Sequence, residues 1–234
     1  RFLGKAATIT HADNYAAIMR EQFVIADLEE RKEMILTQFS ALETENDWII
    51  PHDDRLLEEV VSLVEYPTAF AGKYDARYLE LPEEVLITSM KAHQRYFEVT
   101  DKNAELLPRF IGVRNGDANH LNNVVLGNQK VLTARLEDGL FFYEEDKRTS
   151  IESFVEKLAS VSFHAKIGSL ADKMANTARL SNYLAEMIGM EAEQKENLQR
   201  AASIYKFDLV SNMVSEFPEL QGAMGEKYAL MAGE

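Results

Sequence analysis

Five histidines (His11, His52, His93, His120 and His164) are the natural starting point for any acid–base or metal chemistry in this 234-residue chain, which has no cysteine. Without cysteine there is no thiolate nucleophile, no disulfide and no sulfur-ligated zinc. His52-Asp53-Asp54 has the donor types of a metal site. A helix-capping Asp53 explains the same residues better, because an apolar helical stripe begins three positions later. Gly112, Gly116 and Gly127 are too scattered for a phosphate-cradling loop, and no G-x-S-x-G elbow presents a serine. No catalytic residue and no metal site is therefore assigned.

The densest group of hydrogen-bonding side chains is Ser89-Met90-Lys91-Ala92-His93-Gln94-Arg95, followed by Tyr96-Phe97. Two readings stand side by side. Lys91, His93, Gln94 and Arg95 form a surface for RNA or a partner subunit, or they are a polar helix end leading into a core strand. Lys130 and Arg135 join the contact candidates further on. Arg135 lies three residues from Asp138, a spacing whose pairing is worth only ~0.2–0.5 kcal/mol on a helix surface. Phe141, Phe142 and Tyr143 point around a helix, which favours core packing over base stacking.

The formal net charge of −14 excludes a protein that grips phosphates over its whole surface. Charge is uneven, however. Residues 88–136 carry seven Lys/Arg against four Asp/Glu, so that segment is +3 and the remainder −17. Hydrophobic residues at 46% and charged residues at 27% are ordinary for a folded protein. No apolar run reaches the ~20 residues that span a bilayer, and a cytoplasmic location is expected. Arg1 is not an initiator Met and opens no targeting signal, so the chain reads as an internal piece of a longer one.

The elements that must position these groups follow from periodicity. Residues 5–10 predict a strand, and Thr10 with Asp13 a capping box for a short helix. Asp27 starts a helix with Leu28, Ile35, Phe39 and Leu42 on one face; Asp53 starts another with Leu56, Leu57, Val60, Val61 and Val64. Residues 69–74 look extended, and Pro82 with two acids opens a helix. Residues 96–100 and 109–113 predict a hairpin around Asp101-Lys102-Asn103. A long helix from about His120 towards Asp146 buries Val124, Val125, Val131, Leu132, Leu136 and Leu140. The polar run 144–149 marks a boundary between modules 1–146 and 147–234, the second wholly helical. There Thr149 and Glu152 form a capping box. Leu170, Met174, Leu180, Leu184, Met187 and Ile188 make another amphipathic helix, ended by Gly189.

Several motifs carry a resemblance. Leu86-Ile87-Thr88-Ser89-Met90-Lys91-Ala92-His93-Gln94-Arg95-Tyr96-Phe97 and Leu107-Pro108-Arg109-Phe110-Ile111-Gly112-Val113-Arg114-Asn115-Gly116 resemble signatures of bacterial glycyl-tRNA synthetase β subunits. The run from Gly127-Asn128-Gln129-Lys130 through Arg135-Leu136-Glu137-Asp138, then Lys166-Ile167-Gly168-Ser169, Lys206-Phe207-Asp208-Leu209-Val210 and Glu216-Phe217-Pro218-Glu219-Leu220-Gln221-Gly222, looks like the same family. These follow the family's order from about Asp53 onward; the first fifty residues match more loosely. Gly139 and Ile167 depart from the usual alanine and leucine.

The resemblance implies an α+β fold: a mixed α/β module similar to the substrate-binding and editing-like domain of phenylalanyl-tRNA synthetase β chains, then the start of an HD-type helical domain. It also implies the partners, which are the synthetase α subunit and tRNA(Gly), and no membrane. ATP and Mg belong to the α subunit, with no cofactor in this piece. At the degenerate HD positions His164, Lys206 and Asp208, a protonated lysine cannot ligate a metal, so this half is expected to be a scaffold. Two alternatives remain: a hydrolase, either an HD phosphohydrolase or an editing site for mischarged tRNA, and a module that binds only protein. Steric exclusion by a glycine pocket weakens the need for editing.

Overall fold

The computed structural model describes Gly4 and residues 6–234. The fold is α+β, as the resemblance implies, and it divides into two compact units, one through Glu137 and one from Asp138.

In the first unit, helices α1 (Tyr15–Glu21), α2 (Leu28–Asn46) and α3 (Asp54–Leu63) precede strand β1 (Pro67–Lys73). Helix α4 (Glu83–Gln94) and strands β2 (Phe97–Thr100) and β3 (Leu106–Asn115) follow, and α5 (Leu121–Asp146) contributes its residues through Glu137. The caps form where local chemistry predicts them. Asp27 accepts the Glu30 amide at 3.1 Å and Asp53 the Leu56 amide at 2.9 Å, each satisfying an orphan helix donor. The predicted hairpin is present: Asp101 accepts the Asn103 and Glu105 amides at 2.8 and 2.9 Å, closing the turn between β2 and β3.

The three strands form an antiparallel sheet in the order β1-β3-β2. Alternation sends Ala69, Ala71, Phe97, Val99, Ile111 and Val113 to one face, where they pack with Ile35 and Phe39 of α2 and Leu57, Val60 and Val61 of α3. On the other face Phe70 lies opposite Gly112 and Gly72 opposite Phe110. A Cβ on either glycine would overlap the facing ring, so each glycine is a slot for a phenylalanine. Tyr96 stacks on Phe110 with centroids 4.5 Å apart. The edge strand β1 is blunted by Gln38, whose side chain accepts the Ala69 amide at 2.8 Å and donates to the Pro67 carbonyl at 3.2 Å. Arg31 ties α2 to the end of α3 by donating to the Ile25 carbonyl at 2.7 Å and to the Val61 and Val64 carbonyls at 3.0 Å.

The second unit contains α6 (Ile151–Lys157), β4 (Ser162–His164), β5 (Gly168–Ser169), α7 (Leu170–Met187), α8 (Ala192–Ile204), α9 (Asn212–Glu216) and α10 (Ala223–Ala232). Leu158, Leu170 and Met174 form one buried cluster, and Phe154, Phe207, Met213, Phe217 and Met224 are also buried in this unit. Buried Asp146 fixes the start of α9, accepting from the Asn212 amide at 2.9 Å, the Asn212 side chain at 3.0 Å, the Met213 amide at 2.9 Å and the Tyr228 hydroxyl at 3.0 Å.

Several expectations are corrected. Residues 6–10 are exposed and irregular instead of a strand, and Lys5 lies outside the described residues. His11, not Thr10, caps the first turn, through Nδ1 and the Asp13 amide. Ser150, not Thr149, caps α6, accepting the Ser153 amide at 3.2 Å. The second half is not wholly helical, because β4 and β5 pair as a short hairpin. On α5, Leu132 and Leu136 are buried while Val131 is 48% exposed, since adjacent helix positions point ~100° apart. Phe141 is exposed, whereas Tyr143 stacks on Tyr228. Leu170 and Met174 are buried as expected, and Gly189 (φ 65°) follows α7, but Leu180, Leu184, Met187 and Ile188 face outward.

Candidate functional site

Lys91 projects from α4 between two carboxylates, reaching Asp53 Oδ2 at 3.1 Å and Glu98 Oε1 at 2.8 Å. Glu98 stands on β2 with a side chain only 7% exposed, and its other oxygen has no hydrogen-bond partner among the described residues. Burial alone would lower the Lys91 ammonium, but its hydrogen bonds to Glu98 and Asp53 outweigh that and hold it above the usual lysine value. The Leu56 amide, with Lys91 adding to it, keeps Asp53 below the usual carboxylate range against the opposing effect of burial. Lys91 is thus the counter-ion of a buried acid.

Arg95 ends α4 in the left-handed region at φ 56°, with its amide on the Lys91 carbonyl and the Tyr96 amide on the Met90 carbonyl. That is a Schellman-type stop with arginine where glycine is usual. The Arg95 guanidinium donates from Nε to Glu59 at 2.6 Å and from Nη1 to the Ala92 carbonyl. Gln94 and Arg95 line a groove of about 190 Å³ with Tyr96, Arg114 and Asn128. There Arg114 is occupied by the Asn119 carbonyl at 2.6 Å, and the Tyr96 hydroxyl donates to Asn128. Burial pushes the Tyr96 phenol up to about 12. His93 is half-buried on the last turn of α4, and Arg135 is half-buried on α5.

Lys130 lies elsewhere. It is exposed on α5 and lines an open groove of about 770 Å³ between that helix and the end of β1. Lys73, Arg77, Tyr74, Tyr78 and Gln129 share the groove, and Gln129 fixes the strand end by accepting the Lys73 amide at 3.0 Å. The acids in this groove are engaged locally. Asp75 accepts the Arg77 amide at 2.9 Å, and Glu137 accepts from the Arg77 guanidinium and the buried Tyr78 hydroxyl, both at 2.5 Å. The Lys73 and Lys130 ammonium groups have no acidic partner among the described residues. Lys73 also stands directly across from Arg109 in the β1–β3 register, a like-charge neighbour that favours an anion nearby. The groove is lined by cationic, hydroxyl-bearing and carboxylate side chains, with no histidine among them.

Of the sequence candidates, Gln94 and Arg95 therefore line one groove, Lys130 another and Lys91 a buried ion cluster, while His93 and Arg135 line neither groove. Lys73 and Arg77 were not among them. Their signal was spatial: Lys73 and Lys130 are 57 positions apart, and only the β1–α5 arrangement brings them to one groove.

The three degenerate HD positions each have a local partner. His164 is exposed on β4, and its Nδ1 accepts the Lys166 amide at 3.1 Å. Lys206 lies over the Tyr205 ring at 5.8 Å. Buried Asp208 accepts the Gly222 amide at 2.6 Å at the start of α10, where the positive end of the helix dipole favours a carboxylate. Among the described residues, no three His, Asp or Glu side chains are grouped to hold a metal ion. No helix among them is long and apolar enough to cross a membrane.

The family model described as "Glycyl-tRNA synthetase beta subunit" matches residues 1–234. Similar curated proteins are the "Glycine--tRNA ligase beta subunit" of Streptococcus equi subsp. zooepidemicus at 58% identity and those of Streptococcus uberis and Lactiplantibacillus plantarum at 56%. Each alignment covers 100% of this chain and 34% of the relative, so the chain spans about a third of their length. Neither these relatives nor the geometry supports the hydrolase or the protein-only alternative. With the whole chain matched, it belongs to the glycyl-tRNA synthetase beta subunit family.

Proposed function

We propose that this chain is the part of a glycine–tRNA ligase β subunit that contacts tRNA(Gly) and supports assembly with the α subunit, in the cytoplasm. The observation that carries the tRNA contact is the pair of unneutralised ammonium groups, Lys73 and Lys130, in one open groove. Phosphate contacts of this kind position an RNA without reading its sequence. ATP and Mg, and with them glycine activation, are assigned to the α subunit. No glycine-rich turn in this sequence would cradle a nucleotide's phosphates. The first half acts as a module of the phenylalanyl-tRNA synthetase β type and the second as a helical scaffold of degenerate HD type. The engagement of Asp208 by the Gly222 amide, just before α10, supports the second assignment.

The test uses the complete β subunit with its α partner. Lys73→Glu combined with Lys130→Glu should raise the KM for tRNA(Gly) by roughly tenfold or more, as expected for lost phosphate contacts. ATP–pyrophosphate exchange with glycine should keep its rate. An unchanged KM for tRNA would remove this groove as the contact.

A further inference from the structure

Glu137 is an acid in a groove whose proposed ligand is a polyanion, and its carboxylate is held in place there. Oε2 accepts from the Tyr78 hydroxyl and the Arg77 guanidinium, both at 2.5 Å, and Tyr78 is fully buried. Two donors on one oxygen fix the orientation of a side chain that is 57% exposed, as preorganised contact groups are fixed. The other oxygen, Oε1, has no hydrogen-bond partner among the described residues. Glu137 also stands seven positions beyond Lys130 on α5 and lines the same groove, about 10 Å further along the helix axis. A strand that meets Lys130 with a phosphate and runs along α5 therefore passes Oε1. Beside phosphates a carboxylate repels, and its pairing with Arg77 also takes a cation out of the groove. Such an acid adds to binding only where the ligand brings a hydrogen to it.

We infer that Glu137 Oε1 accepts a hydrogen bond from a ribose 2′-hydroxyl of the bound strand, so that the groove recognises RNA as RNA. The inference rests on the proposed phosphate contacts of Lys73 and Lys130. An ionised carboxylate only accepts hydrogen bonds. Phosphate and ring oxygens of a nucleic-acid backbone likewise only accept, and the 2′-hydroxyl is the one donor within the chain. Base edges carry donors too, but contacts to phosphate turn the backbone toward the protein. Discrimination then works in both directions. A ribose strand gains a charge-assisted bond, whereas a deoxyribose strand leaves the acid facing phosphates with nothing to accept.

The test uses the complete α and β subunits with tRNA(Gly) and the variant Glu137→Met, which keeps the side-chain length and removes both oxygens. Arg77 still donates to the Tyr78 hydroxyl at 2.9 Å, so the phenol keeps a partner. Affinity should fall about tenfold, the worth of one hydrogen bond to a charged group. Unchanged or tighter binding would overturn the inference, because relief of charge repulsion alone strengthens binding. Transcripts carrying 2′-deoxynucleotides at single random positions then identify the donor. The native enzyme should select against deoxy substitution at one or two positions, and Glu137→Met should lose that selection while keeping any selection elsewhere. Weaker binding with the deoxy selection unchanged would overturn the inference in favour of a base donor or a structural role. The lysine pair separates the two proposals. If Lys73→Glu with Lys130→Glu weakens binding and Glu137→Met does not, the groove stands and the 2′-hydroxyl contact falls; if the lysine pair has no effect, both fall.

Discussion

Lys91 shows how a residue with the credentials of an RNA contact can be committed elsewhere. Its ammonium neutralises Glu98 inside the α4–β2 packing and also holds Asp53, the cap of α3. Removing one partner of such a cluster strands a buried carboxylate. Lys91→Met should therefore destabilise the protein by roughly 2 to 3 kcal/mol, the buried-pair cost discounted because the lysine side chain is 25% exposed. Adding Glu98→Gln should restore much of the loss, and urea denaturation of the two single variants and the double variant reads the coupling. The pH dependence follows from the directions of the shifts. Asp53 has a depressed folded value, so its contribution is present above the ordinary carboxylate value of ~3.9 and is lost as pH falls through the folded one. Lys91 has a raised folded value, so its contribution is present below ~10.4 and is lost as pH rises through the folded value. The motif around Lys91 was legible in the sequence, but its role was not. Asp53 is thirty-eight positions away, and only the register of β2 beside α4 makes Glu98 its neighbour.

Among the elements, those whose determinants are local were the most legible. Asp27 and Asp53 cap as their sequence neighbours dictate, and the Asp101 turn joins the hairpin that alternation predicts. Less legible were features decided across the fold. Capping moved by one residue from Thr149 to Ser150 and from Thr10 to His11, because neighbouring polar residues compete for one orphan amide. The glycines of the sheet look alike in sequence until register puts Phe70 against Gly112 and Phe110 against Gly72. Overpacking such a slot costs about 1–3 kcal/mol, so Gly112→Ala should lower the urea midpoint. Gly127 lies within α5 with nothing within 4 Å of an added Cβ. Gly127→Ala should raise stability by about 0.5–1 kcal/mol through helix propensity. Equal effects at the two glycines would show that the aromatic slots do not matter. The α7 stripe was recognisable by its period, but periodicity does not say which partner buries a face, and only its inward end is covered here.

For the whole molecule, a net charge of −14 and an RNA-contacting role are compatible only if contact is confined to a small basic region. The β1–α5 groove supplies one: its acids are held by Arg77 and backbone amides, while Lys73 and Lys130 stay unneutralised. Sequence order had gathered Lys91, Arg95, Lys130 and Arg135 into one basic segment. Folding separates Lys130 from Lys91 and pairs it with Lys73, which lies outside that segment. The measurement that tests this most directly is the salt dependence of tRNA(Gly) binding by the complete α and β subunits. With both lysines present, log affinity should fall steeply with log salt. With Lys73→Glu and Lys130→Glu, the slope should become shallower by about one to two units as two phosphate contacts are lost. Identical slopes and affinities for the two enzymes would contradict the assignment.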